Sequence, residues 1–211
     1  MKYTADLQKK SRNQNNSELG QSIVEDSILE KLLESRILFL SGDINEQKSH
    51  EVISRLITLD YQNPSKDILL YIDSYGGDVY SLIAIHDTIK MLRCDVATVC
   101  VGKAMSAAAI LLMSGTFGKR FITPNSRVML HEISSYGEEG KLTYIRDALK
   151  ETEKLQSLLE GFVKKYTKMS VKQIKDAFSK DFYMDAIQSK KFGVVDQLID
   201  NPDIVHDTVK A

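Results

Sequence analysis

A chain of 211 residues with 43% hydrophobic and 27% charged residues has the make-up of an ordinary globular protein, long enough for one domain with a proper core. Its 28 basic and 29 acidic residues leave a net charge of -1, so nothing draws it electrostatically toward nucleic acid or an anionic membrane, and neither is expected as a partner. No stretch approaches the ~18 apolar residues needed to span a bilayer.

Residues 1–20 are rich in Asn, Gln, Lys and Ser, lack the apolar core of a secretory signal, and read as a mobile arm. Over residues 22–33, Ile23, Ile28, Leu29, Leu32 and Leu33 fall at helical spacings, and residues 36–40 (RILFL) read as a strand. An amphipathic helix is expected over 50–59, closed by the breaker-rich YQNPSK. Residues 68–72 (ILLYI) form a short, almost wholly apolar strand, the kind covered on both faces in parallel sheets. After Gly76-Gly77 the pattern repeats: helix 79–92, strand 96–101, helix 106–114, strand 127–131, then a long helix over about 140–167. The remainder reads as helix 171–178, short strand 182–184, and helix 185–191 leading into FGVVDQLI. This alternation predicts an α/β domain with predominantly parallel pairing, one domain over 21–200 with a tail at 201–211. The two cysteines cannot make a disulfide framework; Cys100, inside an apolar run, reads as a core thiol, and neither it nor Cys94 has the neighbours of a zinc site. A reducing cytoplasm is the expected location.

Three segments break local rules. DSYGGDV (73–79) lies between a buried strand and a helix, where paired glycines let backbone amides turn toward a bound anion, although such a loop is more often just a turn. In VGKAMSAAAILLMSG (101–115), Ser106 stands at a helix entrance among Ala104, Ala107, Ala108 and Ala109, either as a helix cap or as a group whose developing charge the helix favours. No G-x-S-x-G surrounds it, so it is not the nucleophile elbow of an α/β-hydrolase. In PNSRVMLHEI (124–133), His131 falls where the apolar strand pattern stops; His50, His86 and His206 are poorer candidates for a base. A serine nucleophile, a histidine base and an orienting carboxylate would make a hydrolase, but spacing leaves the acid open among Asp176, Asp181, Asp185 and Asp196.

Taken together, the motifs DSYGG (73–77), GKAMSAAA (102–109), GKRFITPNSRVMLH (118–131), DFYMDA (181–186) and KKFGVVD (190–196) resemble, in order and spacing, the proteolytic subunits of ATP-dependent Clp proteases, serine peptidase family S14. The resemblance covers about residues 35–200. It implies Ser106 as nucleophile, His131 as base and Asp181 as the orienting acid, with an oxyanion hole from the backbone amides of Gly77 and Ala107. It implies the ClpP/crotonase-like spiral of β-β-α units, with the helix near 140–167 projecting as a handle. It further implies a homo-oligomer, seven-membered rings stacked as a tetradecamer, enclosing a chamber into which an AAA+ unfoldase feeds unfolded protein or peptide substrates. ATP belongs to that partner; no cofactor or metal is expected in this chain, which has no G-x-x-x-x-G-K-[ST].

The chain departs from the family pattern at Tyr75 (usually proline), Ala107 (methionine) and Glu132-Ile133 (Gln-Pro). The usually glycine-rich segment after the histidine reads SSYGEEG (134–140), and Ser179-Lys180 replace an Asp-Arg pair used between rings. The catalytic set is thus intact while assembly features differ, as in a second paralogue or a phage-borne member. The alternatives are a capsid-maturation peptidase of the same family, a non-catalytic ring subunit, and an acyl-CoA hydratase or isomerase of the crotonase type, whose chemistry would need carboxylates instead of Ser-His-Asp.

Overall fold

The structure is a computed structural model describing residues 28–134, 140–201 and 203–209. The chain divides into two compact units, residues 1–37 and 38–211. Of the first, residues 28–34 are helical (α1), and the helix ends where the Ser35 amide donates to Lys31 O and the Arg36 amide to Leu33 O, Arg36 itself at φ 59°. The expected arm at 1–20, the start of this helix and most of the segment 134–140 lie outside the described residues.

The second unit is a mixed α/β fold around a seven-stranded sheet. The strands are β1 (Ile37–Ile44), β2 (Ile68–Gly77), β3 (Val96–Met105), β4 (Arg120–Ile122), β5 (Arg127–Leu130), β6 (Phe182–Met184) and β7 (Gln197–Leu198). The helices are α2 (Glu46–Gln62), α3 (Val79–Met91), α4 (Ala107–Met113), α5 (Leu142–Tyr166), α6 (Val171–Phe178), α7 (Ala186–Phe192) and α8 (Asp203–Thr208). The order β1-β2-β3-β4-β7 forms the main path, with parallel pairing of β2 to β3, β3 to β4 and β4 to β7.

β3 is the axis of the sheet. It runs parallel to β4 over Thr98–Cys100, then to β5 over Lys103–Met105, so one strand serves two neighbours in succession. The switch follows a bulge: Ile72 pairs with Cys100, but the next pair is Ser74 with Ala104. Gly102, at φ +77°, occupies the extra length of β3, where a Cβ would fall 3.1 Å from Asp73 Oδ1. This bulge explains why β2 and β3 outrun the apolar runs 68–72 and 96–101: pairing resumes on a polar stretch that hydrophobic pattern cannot reveal.

Alternation along the strands divides the core. Ile68, Leu70 and Ile72 are fully buried on one face of β2. On β3, Thr98 donates its hydroxyl to Leu112 O of α4, a helix whose seven residues are all buried. Ala97 and Val99 turn the other way and join Phe121, Val205, Leu69, Tyr71, Ile199 and Ile204 in a cluster of their own. The C-terminal segment therefore folds back as α8, where the sequence suggested only a tail. β4 was also not anticipated; three buried residues are too few to show a period. α2 begins four residues earlier than expected because Asn45 caps it, accepting the Lys48 amide at 2.9 Å, while its first turn is polar.

α5, the expected handle, buries only Leu159, Val163 and Tyr166, all toward its C-terminal end, and leaves Leu142, Tyr144, Leu149 and Leu158 exposed. Its last turn is anchored by His86 of α3: the Asp87 carboxylate can only accept, so His86 Nδ1–H donates to it (2.7 Å) and Nε2 accepts from the Tyr166 hydroxyl (2.8 Å). Nearby, the buried Arg120 guanidinium forms a two-point ion pair with Asp196 and donates to Tyr166 O and Met113 O. No helix among the described residues is long and apolar enough to cross a membrane.

Candidate active site

Ser106 is the residue at which β3 gives way to α4. Its amide donates to Met129 O of β5 at 2.8 Å, which ties the strand-to-helix junction to the neighbouring strand. Its backbone is unusual: φ 54° and ψ -123°, one of two positive-φ residues other than glycine among those described. Such a conformation costs on the order of 1–3 kcal/mol and persists only where surrounding structure imposes it. A capping serine would be extended and would accept an amide of the first helical turn. Asn45, Asp78, Ser170 and Asp185 all do so at other helices, whereas Ser106 makes no such bond. Ser106 thus occupies the cap position through its carbonyl, which accepts the Ala109 and Ile110 amides, while its hydroxyl makes no capping bond.

Gly76 and Gly77 belong to the end of β2, not to a turn. A Cβ on Gly76 would lie 2.8 Å from Ser106 Cβ and 3.0 Å from Ala107 N; one on Gly77 would lie 2.1 Å from Ile44 O. The glycine pair thus lets the backbone of β2 pass against the Ser106 junction on one side and β1 on the other. The following Asp78 locks the exit, its amide donating to Ile44 O (2.7 Å) and its side chain accepting the Ser81 amide (2.7 Å). Ala107, as the first residue of α4, carries one of the amides that a helix itself leaves without an acceptor.

His131 immediately follows β5 and is half-buried. β5 and β6 are antiparallel, with Val128 opposite Met184, Met129 opposite Tyr183 and Leu130 opposite Phe182. One step further on each strand stand His131 and Asp181. Two of the other three acids are committed elsewhere: Asp185 caps α7, accepting the Gln188 amide at 2.7 Å, and Asp196 holds Arg120. Asp176 lies on the exposed face of α6.

A groove of about 460 Å³ collects Gly77, Ser106, Ala107 and His131 on its wall. Asp181 is not part of that lining, and among the described residues no hydrogen bond joins Ser106 to His131 or His131 to Asp181. The rest of the wall is mostly apolar, with Leu82, Ile110, Leu159 and Phe178 contributed by four different helices. These residues were not singled out in the sequence, since no spacing links positions brought together from α3, α4, α5 and α6. The chain leaving His131 is braced by α5, as the Ile133 amide donates to Gln156 Oε1 at 3.0 Å. Glu132 is the one carboxylate among the described lining residues. The arrangement offers a nucleophile candidate on a strained junction, a histidine on the same wall, backbone amides nearby and apolar surface for a substrate side chain.

The family model for Clp protease matches residues 20–202. ATP-dependent Clp protease proteolytic subunit 1 of Rhodopirellula baltica is 43% identical over 168 residues, covering 80% of this chain and 74% of that protein. Proteolytic subunit 2 of Corynebacterium jeikeium is 38% identical over 170 residues, 81% of each chain. Proteolytic subunit 1 of Corynebacterium diphtheriae is 38% identical over 170 residues with the same coverage.

Proposed function

The chain belongs to the Clp protease family, and from that membership we propose a serine peptidase that works through Ser106, His131 and Asp181. Ser106 Oγ attacks the scissile carbonyl while His131 takes its proton. Asp181 holds the imidazole in the tautomer that presents its free nitrogen to the serine. The amides of Gly77 and Ala107 receive the oxyanion, donors of a kind typically worth roughly 3–4 kcal/mol each. His131 then returns the proton to the leaving amine, and water repeats the sequence to release the acyl group. Neither metal nor cofactor is needed in this chain for that chemistry.

The observation that carries this reading is Ser106: a strained backbone, no capping bond, and a shared groove with His131, Gly77 and Ala107. Hydrogen bonds among catalytic groups commonly tighten only when substrate is bound. The apolar side chains exposed on α5 favour self-association, and we propose ring assembly through that helix. The words ATP-dependent in the relatives' names support a separate AAA+ unfoldase that delivers unfolded polypeptide, in the cytoplasm. Neither a capsid-maturation role nor a silent ring subunit is favoured by these relatives.

A fluorophosphonate probe tests the proposal. It is expected to label Ser106 in the assembled protein, and Ser106→Ala to abolish labelling and lower peptide hydrolysis about 10⁶-fold. Asp181→Asn is expected to cost about 10⁴-fold through the wrong tautomer. An assembled protein that hydrolyses peptides but takes no adduct at Ser106 would overturn the nucleophile assignment. Near-normal activity in Asp181→Asn would overturn the acid.

A further inference from the structure

A second cleft, of about 760 Å³, lies where the C-terminal ends of α5 and α7 meet the turn before β4. Its wall carries Arg120, Lys165, Lys168, Lys190 and Lys191 against a single carboxylate, Asp196. That carboxylate is already taken. Asp196 Oδ1 accepts from Arg120 Nη2 at 2.6 Å, and Oδ2 accepts from Arg120 Nε and from the amides of Gly118 and Arg120. The four lysines form no salt bridge among the described residues.

A lysine in the last turn of a helix complements the negative end of the dipole, which accounts for Lys165 on α5 and for Lys190 and Lys191 on α7 taken singly. It does not account for two such ends, Lys168 and the buried Arg120 converging on one cavity. Lys90 lies 4.9 Å from the Tyr166 ring, with Lys165 5.2 Å from the same ring, and burial first, then the charges of Lys165 and Arg120, push Lys90 down from its ordinary pKa. Phe117, largely exposed, bears the Arg120 guanidinium over its ring at 4.5 Å and borders the same cleft.

We propose that this cleft binds a multiply charged phosphate-bearing anion, a chemistry shared by free polyphosphate and nucleoside polyphosphates. Four ammonium groups without an ion-pair partner among the described residues suit the three or four charges of a triphosphate chain. Phe117 offers an aromatic face to a base, so a nucleotide would gain a stacking contact that an inorganic chain would not. Occupancy would bridge the ends of α5 and α7, an action independent of the peptidase groove.

The test is calorimetric titration of the full-length protein with sodium tripolyphosphate and with ATP, beside Lys165→Ala/Lys191→Ala and the control Lys150→Ala/Lys154→Ala on the exposed part of α5. Saturable binding is expected, weaker by about tenfold or more in the first pair and unchanged in the control. Equal affinity for both compounds, insensitive to Phe117→Ala, identifies free polyphosphate as the ligand class. Tighter ATP binding that Phe117→Ala removes identifies a nucleotide. Absence of saturable binding in the millimolar range, or affinity unaltered by the Lys165/Lys191 pair in a variant whose melting temperature matches the parent, overturns the proposal.

Discussion

Gly76→Ala separates the effect of backbone strain from that of crowding at the proposed nucleophile, Ser106. Gly76 has φ +103°, where a side chain costs about 1–2 kcal/mol whatever its surroundings. Its Cβ would also meet Met105 O at 2.7 Å and Ser106 Cβ at 2.8 Å, against 3.4 Å for ordinary contact. Relief requires β2 and the Ser106 junction to part by on the order of half an ångström, an overpacking cost of about 1–3 kcal/mol. A displacement of about 1 Å at a reacting group costs on the order of 100-fold, so half of it predicts roughly a tenfold loss of kcat/KM. Gly118→Ala is the matched control: φ +85° but nothing within 4 Å of the new Cβ, hence about 1–2 kcal/mol and no catalytic effect. Denaturant unfolding followed by circular dichroism, beside hydrolysis of a fluorogenic peptide, reads both quantities. Equal stability loss and equal activity in the two variants would refute the crowding argument.

Other consequences are equally concrete. Arg120→Met leaves Asp196 without its charge partner and two carbonyls without their donor; a loss of about 3–5 kcal/mol is expected in denaturant unfolding, and one below about 1 kcal/mol would contradict the pairing. Burial pushes the His86 pKa down, outweighing the opposing pull of Asp87. The unfolded chain therefore binds the proton more readily, and stability is full above about pH 6.5 and declines as pH falls toward the lower folded value. Melting curves across that window should show the decline in the parent and its absence in His86→Phe. Burial likewise pushes the Cys100 thiol up to about 12, so a disulfide-exchange reagent near pH 8 should label it only after denaturation; prompt labelling of the native protein would show that the core opens there.

Much of the alternation of strand and helix was legible because apolar periodicity reports burial. α3, α6 and β6 fall within a residue of their expected bounds. What escaped was structure held by pairing instead of pattern: β4 is three residues long, β2 and β3 continue past a bulge into polar sequence, and α8 is secured by the few apolar residues of a polar tail. At the site, local position left Ser106 open between a helix cap and a nucleophile, made His131 the better base only beside it, and did not choose the acid. Asp176, Asp181, Asp185 and Asp196 look alike as letters; the family resemblance pointed to Asp181, and the structure adds the register of β5 with β6 and the separate commitments of Asp185 and Asp196. The apolar wall built by Leu82, Ile110, Leu159 and Phe178 is a property of four helices meeting, which no local window contains.

Under the nucleophile assignment proposed above, the backbone of Ser106 sets stability and activity against each other at a single position. At φ 54° a glycine would be at ease where serine is not, so Ser106→Gly should raise stability while removing the hydroxyl, and should exceed Ser106→Ala, which keeps the Cβ.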